Sequence, residues 1–121
     1  MALYAFFAPL LPGKTEEWRR WIGELNGSRK QEFDDSRRRI GVRERTFLQT
    51  TPQGDFVVVT LEGDSPVDSL KRFAESDDSF SRWFSQMVKA CHGLEFKEVL
   101  AGPAPELVID TGALGTQQKV A

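Results

Sequence analysis

The sequence predicts an α+β domain built in the order β-α-β-β-α-β. Three observations carry this. Apolar, β-branched or aromatic runs recur at 3–8, 42–51, 55–62 and 94–100, each bounded by Pro, Gly or a polar turn. Between the first and second runs, and again between the third and fourth, apolar residues recur at helical spacing. The middle two runs are joined by TPQGD alone, too short for a crossover, so they pair as a hairpin.

The first strand, Leu3 to Ala8, is ended by Pro9 and the Pro12-Gly13 pair. Thr15 is the expected N-cap of the helix that follows, with Glu16 and Glu17 in its first turn, where the helix dipole favours acids. Trp18, Trp21, Ile22, Leu25, Phe33 and Ile40 share one stripe, predicting a helix over 15–40. Asn26-Gly27-Ser28 interrupts it, and Ser28 with Gln31 has the form of a capping box. Because the stripe keeps its phase and Gly27 lies opposite it, one long helix is expected, with any bend placed there.

Gly41 ends that helix. The second strand, 42–51, turns into the third, 55–62. Ser65 caps a short helix over 66–75, with Pro66 at its first position and Asp68 in its first turn. Asp78 or Ser79 caps the next, in which Phe80, Trp83, Phe84, Met87, Val88 and Cys91 form an unbroken stripe ended by Gly93. Leu94 to Leu100 reads as the fourth strand. Residues 1–100 thus make one ferredoxin-like domain, an antiparallel sheet with its helices on one face. Residues 101–121 form an extension in which Leu107-Val108-Ile109 can supply an edge strand at 106–110, followed by a flexible tail.

In GDFVVVTLEGD the third strand is apolar on both sides: Phe56, Val58 and Thr60 point one way, Val57, Val59 and Leu61 the other. The helices cover one face only, and nothing obvious in 121 residues covers the second. Large apolar patches are unusual on monomers. A homodimer is therefore expected, two sheets meeting face to face as a dimeric α+β barrel.

Composition excludes several classes. A net charge of −2 and a pI near 5.4 argue against nucleic-acid and anionic-membrane partners. Arg37-Arg38-Arg39 is a local basic run that reads as a solvated helix end. One cysteine and one histidine exclude an internal disulfide and four-residue zinc sites, so no metal or cofactor is expected. The opening MALYAFFAPLLPGK lacks a basic leader region and a small-residue cleavage site, and no run approaches a membrane span; a soluble, cytoplasmic protein is expected.

PGKTEEWRRWIGELN with Arg29 and Glu32, then the hairpin, then SDDSFSRWF, resembles the dimeric α+β barrel superfamily, which includes antibiotic-biosynthesis monooxygenases, haem-degrading monooxygenases and stress-responsive barrels. The most similar pattern is that of an uncharacterised family with PGK…W…LN…R…E on a long first helix. The resemblance covers about residues 3–100. It implies a small-molecule pocket between the first helix and the sheet, and some oxygenases of the superfamily work without a cofactor. In the haem-degrading branch a similar segment carries a tryptophan and, about ten residues on, the histidine that ligates iron. Trp83 leads to His92 at a spacing of nine, and the strand-1 asparagine of that branch is absent.

Candidate site residues follow. His92 closes a helix, where the dipole favours its protonated form; it is a candidate base or an exposed cap. Arg29 falls within the apolar stripe with Glu32 three residues on, so it either lines the pocket as a fork donor or lays its stem on Phe33 with its head in water. Ser36 shares the stripe, and Trp83 completes the expected ligand set of Arg29, Glu32, Ser36 and Trp83. The parity of Tyr4 and Glu44 leaves them facing either cavity or solvent, and Cys91 is expected as an inert core thiol. Two rivals remain: a structural or regulatory dimer with a filled barrel, and an RNA-recognition module. The latter needs exposed alternate aromatics where Val58 stands.

Overall fold

The structure is a computed structural model that describes residues 1–112. β1 (Ala2–Pro9) is followed by α1 (Thr15–Leu25), α2 (Lys30–Ile40), β2 (Val42–Thr51), β3 (Gly54–Gly63), α3 (Pro66–Glu75), α4 (Ser79–His92) and α5 (Phe96–Ala101). The fold is α+β, with one three-stranded antiparallel sheet in the order β1-β3-β2. The register aligns Phe6 with Val59 and Thr46, and Phe7 with Val58 and Phe47, so neighbouring residues of β1 serve opposite faces.

Three expectations change. The helix expected over 15–40 is two helices. Asn, Gly and Ser compete with helical hydrogen bonding, and at 26–29 the Arg29 N–H reaches back five residues to the Glu24 carbonyl at 2.8 Å while the Lys30 N–H takes that of Gly27 at 3.1 Å. The turn preserves the stripe's phase: Trp18, Trp21, Leu25 and Ile40 are all buried. The fourth strand expected at 94–100 is instead α5. Glu95 accepts from the N3 backbone while the Glu98 carboxylate accepts from the Glu95 N–H at 2.8 Å, a reciprocal cap that favours helix. Phe96, three residues before Val99, turns towards the core side in this helical spacing, and both line the cavity described below. The closing strand of the expected β-α-β-β-α-β order is therefore absent from the described residues, and β1 lies at the edge of the sheet. Residues 106–110 form no strand within the chain and are exposed; the flexible tail expected beyond them falls mainly outside the described residues.

The helices pack on the face carrying Val57, Val59 and Leu61. There an aromatic cluster forms around Phe84, whose ring centroid lies 4.9 Å from Trp21 and 5.3 Å from Phe73, with Phe33 and Phe96 stacked at 6.0 and 6.3 Å. The opposite face is bare: Leu3, Phe7 and Phe47 are each more than half exposed. Among the described residues no helix is long and apolar enough to cross a membrane.

The ends of α2 and β3 meet closely. The Ile40 carbonyl accepts from Ser69 Oγ at 2.6 Å and Arg72 Nη2 at 2.9 Å, and Gly41 closes the helix at φ 75°. A Cβ on Gly63 would collide with the Gly41 carbonyl oxygen, whereas a Cβ on Gly23, inside α1, would meet open space. Gly63→Ala is expected to destabilise by about 1–3 kcal/mol through overpacking. Gly23→Ala is expected to stabilise by up to about 1 kcal/mol through helix propensity. Urea midpoints of the two variants measure the contrast.

Candidate functional site

Between the helices and the inner sheet face lies a cavity of about 250 Å³. Its wall is largely apolar: Phe6 and Ala8 from β1, Val57, Val59 and Leu61 from β3, and Trp18, Trp21, Leu25 and Phe84 from the helices. A cavity of about 150 Å³ with such a lining accepts a guest the size of benzene, so this one has room for a one- or two-ring body.

Three ionisable side chains break the apolar wall: Arg37, Glu44 and His92. Arg37 Nε donates to Glu44 Oε1 at 2.6 Å, with both side chains about 10% exposed. Arg37 Nη1 donates to Ser36 Oγ at 3.0 Å, and Thr46 Oγ1 donates to Glu44 Oε2 at 3.0 Å. The guanidinium carbon sits 4.6–4.8 Å from the ring centroids of Phe33, Phe73 and Phe84, a cation held against three π faces. Of five guanidinium hydrogens, those on Nη2 have no hydrogen-bond partner among the described residues. They are unspent donors on a residue of the cavity wall.

His92 is placed by a clasp between β1's end and α4's end. The Leu11 N–H donates to the Cys91 carbonyl at 2.8 Å, Gly93 turns at φ 70° against the Leu11 side chain, and His92 Nδ1 lies 2.8 Å from the Pro9 carbonyl oxygen. A carbonyl only accepts, so Nδ1 carries the hydrogen and Nε2 keeps the lone pair of the neutral ring. Burial pushes the imidazole below its ordinary 6.5, and the Pro9 bond only partly opposes it. This corrects the expectation of an exposed cap charged by the helix dipole: desolvation outweighs the dipole.

The four expected ligand residues do not line the cavity. Arg29 pairs with Glu32 at 3.1 Å and Glu24 at 3.8 Å, and its guanidinium carbon stacks 4.0 Å over the Trp83 ring, a half-exposed cluster at the α1–α2 turn. Its head lies on Trp83 and between two carboxylates, and its charge is satisfied locally. Ser36 is fully buried and acts behind Arg37 as its acceptor. Arg37, read from the sequence as part of a solvated run, is the residue at the cavity. The signal was present: Arg37 stands four residues after Phe33 and three before Ile40, hence on the stripe, and Glu44 shares strand parity with Val42 and Leu48. Cys91 is fully buried, with burial holding its thiol protonated, as an inert core residue. Among the described residues no group of three or more His, Cys, Asp or Glu is placed to hold a metal ion.

Scans against protein-family models, curated proteins and solved structures return no match. What fold and site define is a class: a small α+β protein with an apolar cavity whose wall holds a buried ion pair and a neutral histidine.

Removing one member of the Arg37–Glu44 pair strands the other charge in the interior. Arg37→Met or Glu44→Leu alone is expected to cost about 3–5 kcal/mol, and the double variant far less than their sum; a double-mutant cycle in urea reads this. For His92 the folded pKa is depressed while the unfolded chain titrates near 6.5. The unfolded state therefore binds the proton first, so stability is complete above that value and falls as pH drops towards the folded pKa. Thermal melts between pH 7.5 and 5 should show this decline, and His92→Gln should flatten it.

Proposed function

We propose that this chain is a homodimeric α+β barrel protein whose subunits each bind a small, largely apolar molecule in the cavity between the helices and the sheet. The observation that carries the reading is the cavity's chemistry. An apolar body would fill it, a carbonyl or hydroxyl oxygen of the guest would accept from Arg37 Nη2, and an acidic hydrogen would meet His92 Nε2. The Arg37 charge is already balanced by Glu44, so a neutral guest suits the site better than an anion.

The bare sheet face supports the dimer. Phe7, Val58 and Phe47 lie in one row across it, and Phe7 and Phe47 stay more than half exposed even with Phe56 packed beside Phe7. The residues meant for a partner are thus Phe56 and Val58 on β3, whereas Val57 and Val59 belong to the cavity. A neutral imidazole in a dry pocket is a competent general base. Removal of a proton from a bound carbon or phenol acid is the first step of the cofactor-independent, monooxygenase-like chemistry that the sequence resemblance implies, and this is the catalytic reading of the site.

The test pairs 2-naphthol titration with light scattering. The expected outcome is saturable fluorescence binding that Val59→Phe, which fills the cavity, weakens at least tenfold, in a particle of twice the 13.7 kDa chain mass. Phe47→Asp is expected to halve that mass. Absence of saturable binding, or binding indifferent to Val59→Phe, defeats the pocket; a wild-type particle of single-chain mass defeats the dimer.

A further inference from the structure

Two features of the chain lack a counterpart within it. The first is the free edge of β1. Natural sheets blunt edges with charge, bulges or covering elements. β2, the other edge, follows this rule with Arg43, Glu44 and Arg45 in sequence. β1 does not: ALYAFFAP is eight residues long without one charged side chain, and its Pro lies at the last position, where it protects nothing upstream. The helix α5 occupies the stretch of sequence expected to supply its neighbour.

The second is Leu107-Val108-Ile109. These consecutive large apolar residues are 74%, 80% and 82% exposed. They are flanked by Glu106 and Asp110 in a segment with no helix, strand or turn of its own. Three consecutive residues of this kind suit a strand that packs on both sides, and two flanking carboxylates set its length.

We propose that residues 106–110 of one copy add as a strand to the free β1 edge of a second copy, so that two chains exchange their C-terminal segments. This rests on the homodimer reading and extends it. Area favours a second copy as the occupant. Leu3, Phe7 and Phe47 on the sheet face, with Leu107, Val108 and Ile109, make six large apolar residues more than half exposed. At on the order of 100 Å² apiece, two copies of six bury roughly 1,200 Å², the lower limit for a stable complex; the three sheet-face residues alone give about half of that. Exchange also completes the site. Phe6 and Ala8 of β1 line the cavity, and a partner strand hydrogen-bonded to β1 continues their wall, with alternate side chains from the partner's segment directed to the cavity side.

Amide hydrogen exchange on the full chain, read at 5 and 200 µM alongside light scattering, tests the exchange. The expected result is a dimer in which amides 107–109 and the edge amides of β1 exchange at least tenfold more slowly than an unstructured chain. Val108→Pro, which removes a ladder donor from an exposed segment, should abolish that protection in both places and raise the dimer dissociation constant at least tenfold. In a sample mixing carbon-13-labelled and unlabelled chains, contacts between 107–109 and 2–9 should appear between copies. A dimer with fast-exchanging 107–109 overturns strand exchange while leaving the sheet-face dimer intact. A single-chain mass overturns both, and contacts confined to one chain show that the segment pairs with its own β1.

Discussion

The Arg37–Glu44 pair is the constraint on which the rest of the molecule turns. Taking two charges out of water is expensive, and their attraction offsets the cost only with close geometry and satisfied neighbours. The geometry is close and most neighbours are satisfied: a 2.6 Å contact, Ser36 on Arg37 Nη1, Thr46 on Glu44 Oε2, and three aromatic faces around the guanidinium, with Nη2 left unbonded. The pair fixes how α2 sits on β2, and it fixes the register of β2. A slip of one residue would carry Glu44 to the outer face and bring Arg43 or Arg45 inward. The Arg37 guanidinium also lies against Phe33, Phe73 and Phe84, so the pair ties the helices that carry those rings to β2.

Much of the fold was legible because its signals are local. The hairpin 42–63 is announced by TPQGD between two β-branched runs, and its strand ends match the expected ones within a residue. α4 is announced by the Asp78 cap, whose carboxylate accepts from the Ser81 N–H at 3.1 Å, and by Gly93 at its close. The departures at 26–29 and 94–100 share a cause. In both, the apolar spacing was compatible with more than one backbone path, and hydrogen bonds decided between them: the Arg29-to-Glu24 turn in one case, the Glu95–Glu98 cap in the other. Periodicity reports which side of an element is buried, not whether its backbone continues.

The site was harder to read for a different reason. Arg29 and Arg37 occupy the same stripe, and both carry a charge where apolar residues surround them. What separates them is what the fold brings near. The α1–α2 turn leaves Arg29 at the surface, within reach of Glu24, Glu32 and Trp83 on nearby elements. Arg37 sits under α4 and opposite β2, where Glu44 is its only carboxylate partner among the described residues. That distinction depends on strand parity and helix packing together, and neither is visible one element at a time. His92 reversed its expected character on the same grounds. Its place at a helix end argued for charge, while its burial against Pro9 dictates a neutral ring.

The sheet itself explains why one short chain can present both a cavity and a bare surface. β3 is central and apolar on both sides, so each of its residues is committed to one face by parity: Val57, Val59 and Leu61 to the helices, Phe56 and Val58 away from them. β1 divides in the same way, with Phe6 at the cavity and Phe7 exposed. A monomeric protein with one wet sheet face gains nothing from aromatic side chains there and acquires a liability to aggregation. Nor does the outer face follow the rule of a solvated surface, for its charged groups, Arg43, Arg45 and Glu62, gather at one end, where Arg45 and Glu62 lie 3.6 Å apart, and leave the Phe7–Val58–Phe47 row uninterrupted. A surface so arranged has the composition of an interface core with a polar rim. Strand parity thus sorts one run of apolar sequence into a cavity lining on one face and an exposed apolar row on the other.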